Sequence, residues 1–354
     1  MTPYLIMIAV PALLALASFR SSNLMLFMVA LFFWLMIGFR FEVGMDWSNY
    51  LRLYNAEYKL GANVSASTAL FQLEPGFALL SWFAAKTGGG IIMINAVSAL
   101  IFCWGFFIFA KNCREPWLAV VIATPLLVVA FAMSGIRQAI AMGVVFYVFS
   151  YWDQRSVVAR IALVLLASLF HFSAVFILIF VALSARIQPV AKLAAVAAVG
   201  LLILLAIYVA PTAMQSYSEL YVSGRRRLEA PGALAQIAVI AAAAVAYFVY
   251  RKKWVEANGD HLLLRNLAIV ALLSVPAAFI SSVGAYRFAL YLWPMAMYVY
   301  SGIPAMIDKA EGQFLYRLML VLASAALMLG WLTYANNSSA WLPYQNWLLL
   351  EQRS

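Results

Sequence analysis

The chain has 354 residues, 66% hydrophobic and only 10% charged, with a mean hydropathy of +0.94. Soluble domains carry roughly 45–50% apolar and about 25% charged residues, so a water-soluble enzyme is excluded, as is a disordered chain; two cysteines also exclude a disulfide scaffold. An outer-membrane barrel would show segments of about ten residues alternating in polarity, whereas this sequence has long continuous apolar runs.

What these exclusions leave is an all-α, polytopic integral membrane protein, a single transmembrane domain over 1–354. At ~20 residues per span there is room for about 11–13 transmembrane helices. The apolar runs are 2–19, 23–38, 91–110, 117–133, 138–152, 161–170 with 172–185, 193–210, 233–250, 266–282, 286–304 and 317–333. The first lacks a basic n-region and an A-x-A site, so it reads as a span and not as a signal peptide. Cys103 lies inside a run and Cys113 in a short loop, a pattern of neither a metal site nor a stable bridge.

The net charge of +10 is not a nucleic-acid signal, because most of it sits in short loops between apolar runs. Dense Lys and Arg occur in 111–114, 153–160, 186–192, 251–265 and 308–317, and the charge rule places such loops in the cytoplasm. All five fit that side if 117–152 and 161–185 are both hairpins. One parity conflict arises before residue 111, where 75–86 and 91–110 are both apolar. It is resolved if Pro75–Lys86, which opens with Pro-Gly and carries Trp82 and a terminal Lys, lies along the outer interface. The outer segments are then a loop over 39–90 with amphipathic interfacial helices, 134–137, the turn at 171, a basic loop over 211–232, 283–287 and a C-terminal tail over 334–354. Within the first, Trp47, Tyr50, Leu51 and Tyr54 recur at helical spacing in Asp46–Tyr58, the pattern of a surface helix.

Ionisable groups at the mouths of spans are costly and mark candidate sites. Arg40 and Glu42 follow the second run, with Asp46 four residues after Glu42; snorkelling and helix capping are the bland alternatives. Glu74 precedes the proposed interfacial helix, where a carboxylate is also structurally favourable. Arg137, with Gln138, occupies a tight outer turn where topology gives no reason for an arginine, and guanidinium suits a phosphate. His171 lies mid-way through a 25-residue apolar stretch; it is either a satisfied core residue or a proton acceptor at a hairpin turn. Arg225, Arg226 and Arg227 form a basic run that either contacts lipid headgroups or clamps a pyrophosphate or acidic glycan. Arg287, beside Tyr286, is the only charge between Arg265 and Asp308 and calls for an anion or a carboxylate partner. The tail residues Trp341, Tyr344 and Trp347 are interface anchors or a cap on a glycan.

Taken in order, the segments Phe39–Tyr50, Glu74–Gly76, Ile136–Gln138, Phe170–Ser173, Tyr286–Phe288 and Pro343–Tyr344 resemble the EpsG family of exopolysaccharide and O-antigen polymerases, the Wzy-type enzymes. The family's first outer motif usually reads Gly-Thr-Asp-Tyr; here it is Gly44-Met-Asp-Trp47. The resemblance implies a fold like the C-type membrane glycosyltransferases (GT-C), in the bacterial inner membrane, with interfacial helices on the periplasmic side. It implies transfer of a glycan from undecaprenyl pyrophosphate to a sugar hydroxyl of a second lipid-linked repeat unit. The lipid-linked oligosaccharide and membrane lipids are then the partners, with a chain-length regulator and a flippase as protein partners and no nucleic acid.

On this reading the candidate bases are His171, Asp46 and Glu74. The pyrophosphate-binding candidates are Arg137, Arg287, Arg225, Arg226 and Arg40, and the glycan-binding candidates are Gln138, Tyr286 and Tyr344. The donor bond carries its own activation, so no cofactor is expected. The DxD of metal-dependent nucleotide-sugar transferases is missing, so no metal is expected. Competing readings are an O-antigen ligase or another lipid-phosphate-sugar transferase, a lipid-linked oligosaccharide flippase, and a membrane O-acyltransferase.

Overall fold

The computed structural model describes residues 1–56, 74–185, 188–209 and 233–350, apart from the side chains of 202–209. Among these residues every regular element is helical, and one isolated bridge pairs Arg40 with Asn346. In chain order the helices are α1 (Thr2–Leu16), α2 (Asn23–Gly38), α3 (Trp47–Tyr54), α4 (Pro75–Lys86), α5 (Gly90–Asn112) and α6 (Pro116–Ala123), which continues as a π-helix over Thr124–Ala132. Next come α7 (Ile136–Ser150), α8 (Val157–Ser168), a 3-10 turn Phe172–Phe176 leading into α9 (Ile177–Ser184), and α10 (Pro189–Val209). The last are α11 (Ala233–Val249), α12 (Arg251–Asn258), α13 (Leu262–Ile280), α14 (Ser282–Ala289), α15 (Trp293–Gly302), α16 (Ala310–Tyr334) and α17 (Trp347–Leu350).

Three of these, α5, α13 and α16, are long and apolar enough to cross a membrane, and a fourth is added if α11 and α12, bent by 88°, count as one span. Seven further apolar helical segments have 10–17 residues. Against the expected 11–13 spans, three or four helices among the described residues are long and apolar enough to cross a membrane, and other apolar runs form shorter helices. Prolines, glycines and polar turns cut the apolar runs, and such breaks are tolerated at membrane depth where protein covers the freed backbone groups. One example is 161–185, which is not one rod. It breaks at Leu169–His171, and α9 packs back against α8.

Hydrogen bonds sort the helix ends into two rims. At the first, Tyr4 donates to the Trp341 carbonyl, Gly44 N to Ala340 O, Gly76 N to Leu169 O, and Gln138 to Arg287 O. At the second, Arg317 joins Glu115 and Ser18, Asn112 meets Ser150, and Asp153 lies near His261. The described segments read as outer from the sequence gather at the first rim; the basic loops around 111–115, 153 and 261 lie at the second. α4 stays on the first rim. Its start touches Leu169, and Ala84 near its end packs with Tyr54, Ile94 and Ile136. Between the rims, α5 packs on α7 through Phe102, Phe106 and Phe109 around Phe146.

The C-terminal tail closes the first rim in a way the sequence did not suggest. The carbonyls of the last turn of α2 draw donors from outside the helix. Asn346 donates to Leu35 O, Tyr344 Oη to Met36 O at 2.8 Å, and Arg40 Nη1 to Ile37 O at 2.5 Å. Trp341, 1% exposed, donates to Val129 O. Tyr344, a candidate glycan contact from the sequence, here donates its hydroxyl to a helix end.

Gly44 shows how tight this rim is. Its φ is +104°, and a Cβ there would sit 2.1 Å from the Met133 carbonyl oxygen. Gly44→Ala should lower stability by about 1–3 kcal/mol or more, read as a fall in the thermal unfolding midpoint of the purified protein. An unchanged midpoint would contradict the packing described.

Candidate functional site

Pro75 starts α4, and Glu74 is the residue before it. Its carboxylate does not cap that helix. It turns inward, 6% exposed, and accepts three hydrogen bonds. Oε2 takes Arg137 Nη1 at 2.6 Å; Oε1 meets His171 Nδ1 at 2.6 Å and the Phe172 backbone N–H at 3.3 Å. His171 is 4% exposed and sits in the turn between α8 and the Phe172–Phe176 helix, outside both helices. A carboxylate offers only acceptors, so Nδ1 carries the proton of a neutral ring and Nε2 keeps its lone pair. Burial pushes the imidazole below its ordinary range. Glu74 opposes that fall, and Arg137 and Arg287 add to it.

Arg137 is held on three sides. Glu74 grips one nitrogen, and the guanidinium lies 5.7 Å from the Tyr50 ring centroid and 5.8 Å from that of Phe77. About a third of its side chain, 32%, still reaches the surface. The next residue, Gln138, is 1% exposed and makes a reciprocal pair with Arg287: Nε2 donates to the Arg287 carbonyl at 2.6 Å, and Arg287 Nη1 donates to Oε1 at 3.2 Å. Three residues before Arg137, Ser134 Oγ donates to Asp46 Oδ2 at 3.0 Å and accepts the Asp46 backbone N–H at 3.2 Å.

The turn Ser134–Gln138 therefore holds Asp46 at one end, Glu74 and His171 in the middle, and Arg287 at the other. Arg287 acts electrostatically on His171, Tyr50 and Tyr291 as well, and Asp46 on Tyr50 and Tyr286. The turn follows the π-helical stretch that contains Pro125. Proline removes a backbone donor, and π-type winding recurs beside functional residues.

Of the residues singled out from sequence, Asp46, Glu74, Arg137, Gln138, His171, Tyr286 and Arg287 converge here. Arg287 is in the last turn of α14, capped at its start by Ser281, so 283–287 is helical where a loop was expected. Arg40 does not join them. It is 2% exposed and its donors go to Ile37 O, Val43 O and Asn95 Oδ1. Arg225, Arg226 and Arg227 lie outside the described residues.

Sequence reading missed several members. Tyr50 and Phe77 looked like membrane-surface positions but flank Arg137. Gln236, 3% exposed in α11, accepts from Trp293 Nε1 at 3.2 Å and reaches Tyr286 Oη at 3.4 Å. It is the only side chain in Ala233–Val249 with an amide, and that isolation was the available signal. Ser173 and Tyr291 share a hydrogen bond of 3.1 Å beside the same cluster. Among the described residues no group of three or more His, Cys, Asp or Glu is placed to hold a metal ion.

The family model described as the EpsG family matches residues 23–346. No curated protein and no solved structure matches the chain.

The His171 environment can be measured directly. In protein carrying His261→Asn, His171 gives the only histidine signal. Its imidazole should titrate below the ordinary value of 6.5, and Glu74→Gln should lower it further, because the carboxylate favours the charged ring. Nitrogen NMR of labelled protein reads both; a rise on removing the carboxylate would contradict the geometry.

Proposed function

The chain belongs to the EpsG family, which is associated with polysaccharide polymerase activity, and from that premise we propose that the cluster around Glu74 is a glycosyl-transfer site. The donor in this reading is a glycan on undecaprenyl pyrophosphate, and the acceptor is a sugar hydroxyl of another lipid-linked repeat unit. The first rim then faces the periplasm, with α3 and α4 as its interfacial helices and the apolar bundle, arranged like the GT-C transferases, in the inner membrane. The observation that carries the reading is the Arg137–Glu74–His171 triad, buried at one rim and linked through Gln138 to Arg287.

In the reaction the acceptor oxygen attacks the anomeric carbon and forms the new C–O bond. The bond from that carbon to the pyrophosphate oxygen breaks, and its electron pair leaves with the diphosphate. The acceptor proton passes to His171 Nε2. Glu74 holds the ring in the required tautomer and stabilises the imidazolium that forms, the role a carboxylate plays behind a general-base histidine. This favours His171 over Asp46 as base. Asp46, bonded to Ser134, acts as a positioning group for the turn. Arg137 and Arg287 offset the charge that develops on the diphosphate. Fixed cations in a water-poor site need little reorganisation and so act strongly. Arg225 and Arg226 stay candidate pyrophosphate ligands on the sequence alone, and Gln138 and Tyr286 contact the glycan.

With purified lipid-linked repeat units as substrate, His171→Ala should cut turnover by about 10²–10⁴-fold, and Asp46→Asn by less. Arg137→Ala and Arg287→Ala should each cost about 10²–10³-fold and leave single repeat units on the lipid, while the protein still inserts and folds. Polymer of normal length from both arginine variants would refute the assignment of the clamp. Long lipid-linked chains accumulating in cells without the protein would point to a ligase instead.

A further inference from the structure

Away from the rim site, α2 and α5 diverge and leave a groove of about 270 Å³ between them. Its walls are apolar. Phe27, Leu31, Leu100 and Trp104 line it and are 40–63% exposed, so it opens on the flank of the bundle that faces lipid. Among its lining residues the only charge is Lys111, at the second rim, where Asn23 joins it.

The groove has one closed end. Towards the first rim, Gly38 lets the two helices touch: a Cβ there would sit 3.0 Å from Ala96 Cα. One turn earlier, Trp34 Nε1 donates across the gap to Ala96 O at 2.8 Å. From Leu100 to Lys111 the groove follows 11 residues of helix, about 16 Å at ~1.5 Å per residue. That is close to half of the ~30 Å hydrocarbon core, the depth of one leaflet. A chain entering from the second rim fits that length, whereas a long polyprenyl tail coming from the first rim meets the Trp34 closure.

The end with Lys111 is also cationic. Lys111 is exposed there, and Arg114 three residues on is exposed as well, while the nearby carboxylate in sequence, Glu115, is held by Nε and Nη2 of Arg317. Lys111 has no ion pair among the described residues.

We propose that this groove binds one anionic phospholipid of the leaflet opposite the glycosyl-transfer site, an acyl chain between α2 and α5 and its phosphate on Lys111. A zwitterionic lipid would fill the same walls but gain less from the cationic end. The site is independent of the reaction proposed above.

The test uses the full chain in nanodiscs containing equal amounts of phosphatidylglycerol and phosphatidylcholine, with retained lipid counted by native mass spectrometry. The wild-type protein should keep one phosphatidylglycerol in preference to phosphatidylcholine. Lys111→Gln should cut that preference about five-fold, the worth of one basic residue at an anionic surface, and Lys111→Arg should restore it. Ala30→Trp, which fills the groove, should lose both lipids; if that variant does not fold, the Gln and Arg pair still decides. Equal retention of the two headgroups by wild type, or an unchanged preference in Lys111→Gln, would overturn the proposal. So would displacement of phosphatidylglycerol by added undecaprenyl phosphate, which would assign the groove to a polyprenyl tail.

Discussion

A buried carboxylate organises the first rim. Removing a charged carboxylate from water costs several kcal/mol, and the cost is met only where geometry and hydrogen bonding are both good. Glu74 meets that condition with an arginine, an imidazole and a backbone N–H. Those partners come from two separate parts of the chain: α7, and the consecutive residues His171 and Phe172 where the turn after α8 enters the 3-10 helix. Each must be in place for the others to be stable. The consequence is that Arg137 and His171 cannot drift independently, because moving either leaves the carboxylate partly unpaired. Fixing these groups beforehand is what a catalytic site gains most from, since reorganisation during the reaction is then small.

The same logic explains why so much structure gathers around five residues. Ser134–Gln138 joins the π-helical stretch to α7 and contacts every other part of the cluster through a different side chain. Ser134 fixes the segment with Asp46, Arg137 fixes the α4 start, and Gln138 fixes α14. Gly44 lies so close to Met133 that only a residue without a Cβ fits, and this brings the Asp46 segment within reach of Ser134. The tail adds a further restraint. By capping α2 with Tyr344 and Asn346 it holds the chain that leaves α2, and with it Arg40 and Val43, against the bundle. Arg40 and Tyr344 therefore support the site from behind without lining it.

Much of this was legible in the sequence, and the limits have physical reasons. Charge in an apolar chain is expensive, so Glu74, Arg137, His171 and Arg287 stood out against their surroundings, and the alternation of basic loops sorted the chain ends. Pro75–Lys86 forms one short helix of its own, separate from the long helix that follows, as parity and length suggested. What a one-dimensional reading could not supply was the partner. Arg40 carries the same warning as Arg137, yet its donors are used by backbone carbonyls of its own helix end. Tyr344 and Trp341 look like interface aromatics because a tail's docking onto a helix 300 residues earlier leaves no local pattern. Tyr50 and Phe77 belong to amphipathic helices whose second face is visible only when Arg137 lies between them. Span counting has a related limit: apolarity marks residues hidden from water, whether lipid or protein hides them, and α6, α7 and α15 are nearly all buried in protein.

The two rims also use charge differently. At the second rim, Arg317 and Glu115 form a two-pronged pair that ties α16 to the start of α6, and Arg251 binds Asp260 across the α12 turn. In these two pairs the cation meets a matching carboxylate and braces the bundle, whereas Lys111 at the same rim has no ion pair among the described residues. At the first rim the balance is uneven. Arg137 shares one carboxylate with His171, and the Arg287 guanidinium donates to the neutral amide of Gln138. A neutral partner orients a guanidinium without cancelling its charge. Arg287 is thus oriented by an amide, and Arg137 by Glu74 and an aromatic pair, which leaves about a third of the Arg137 side chain at the surface of the first rim.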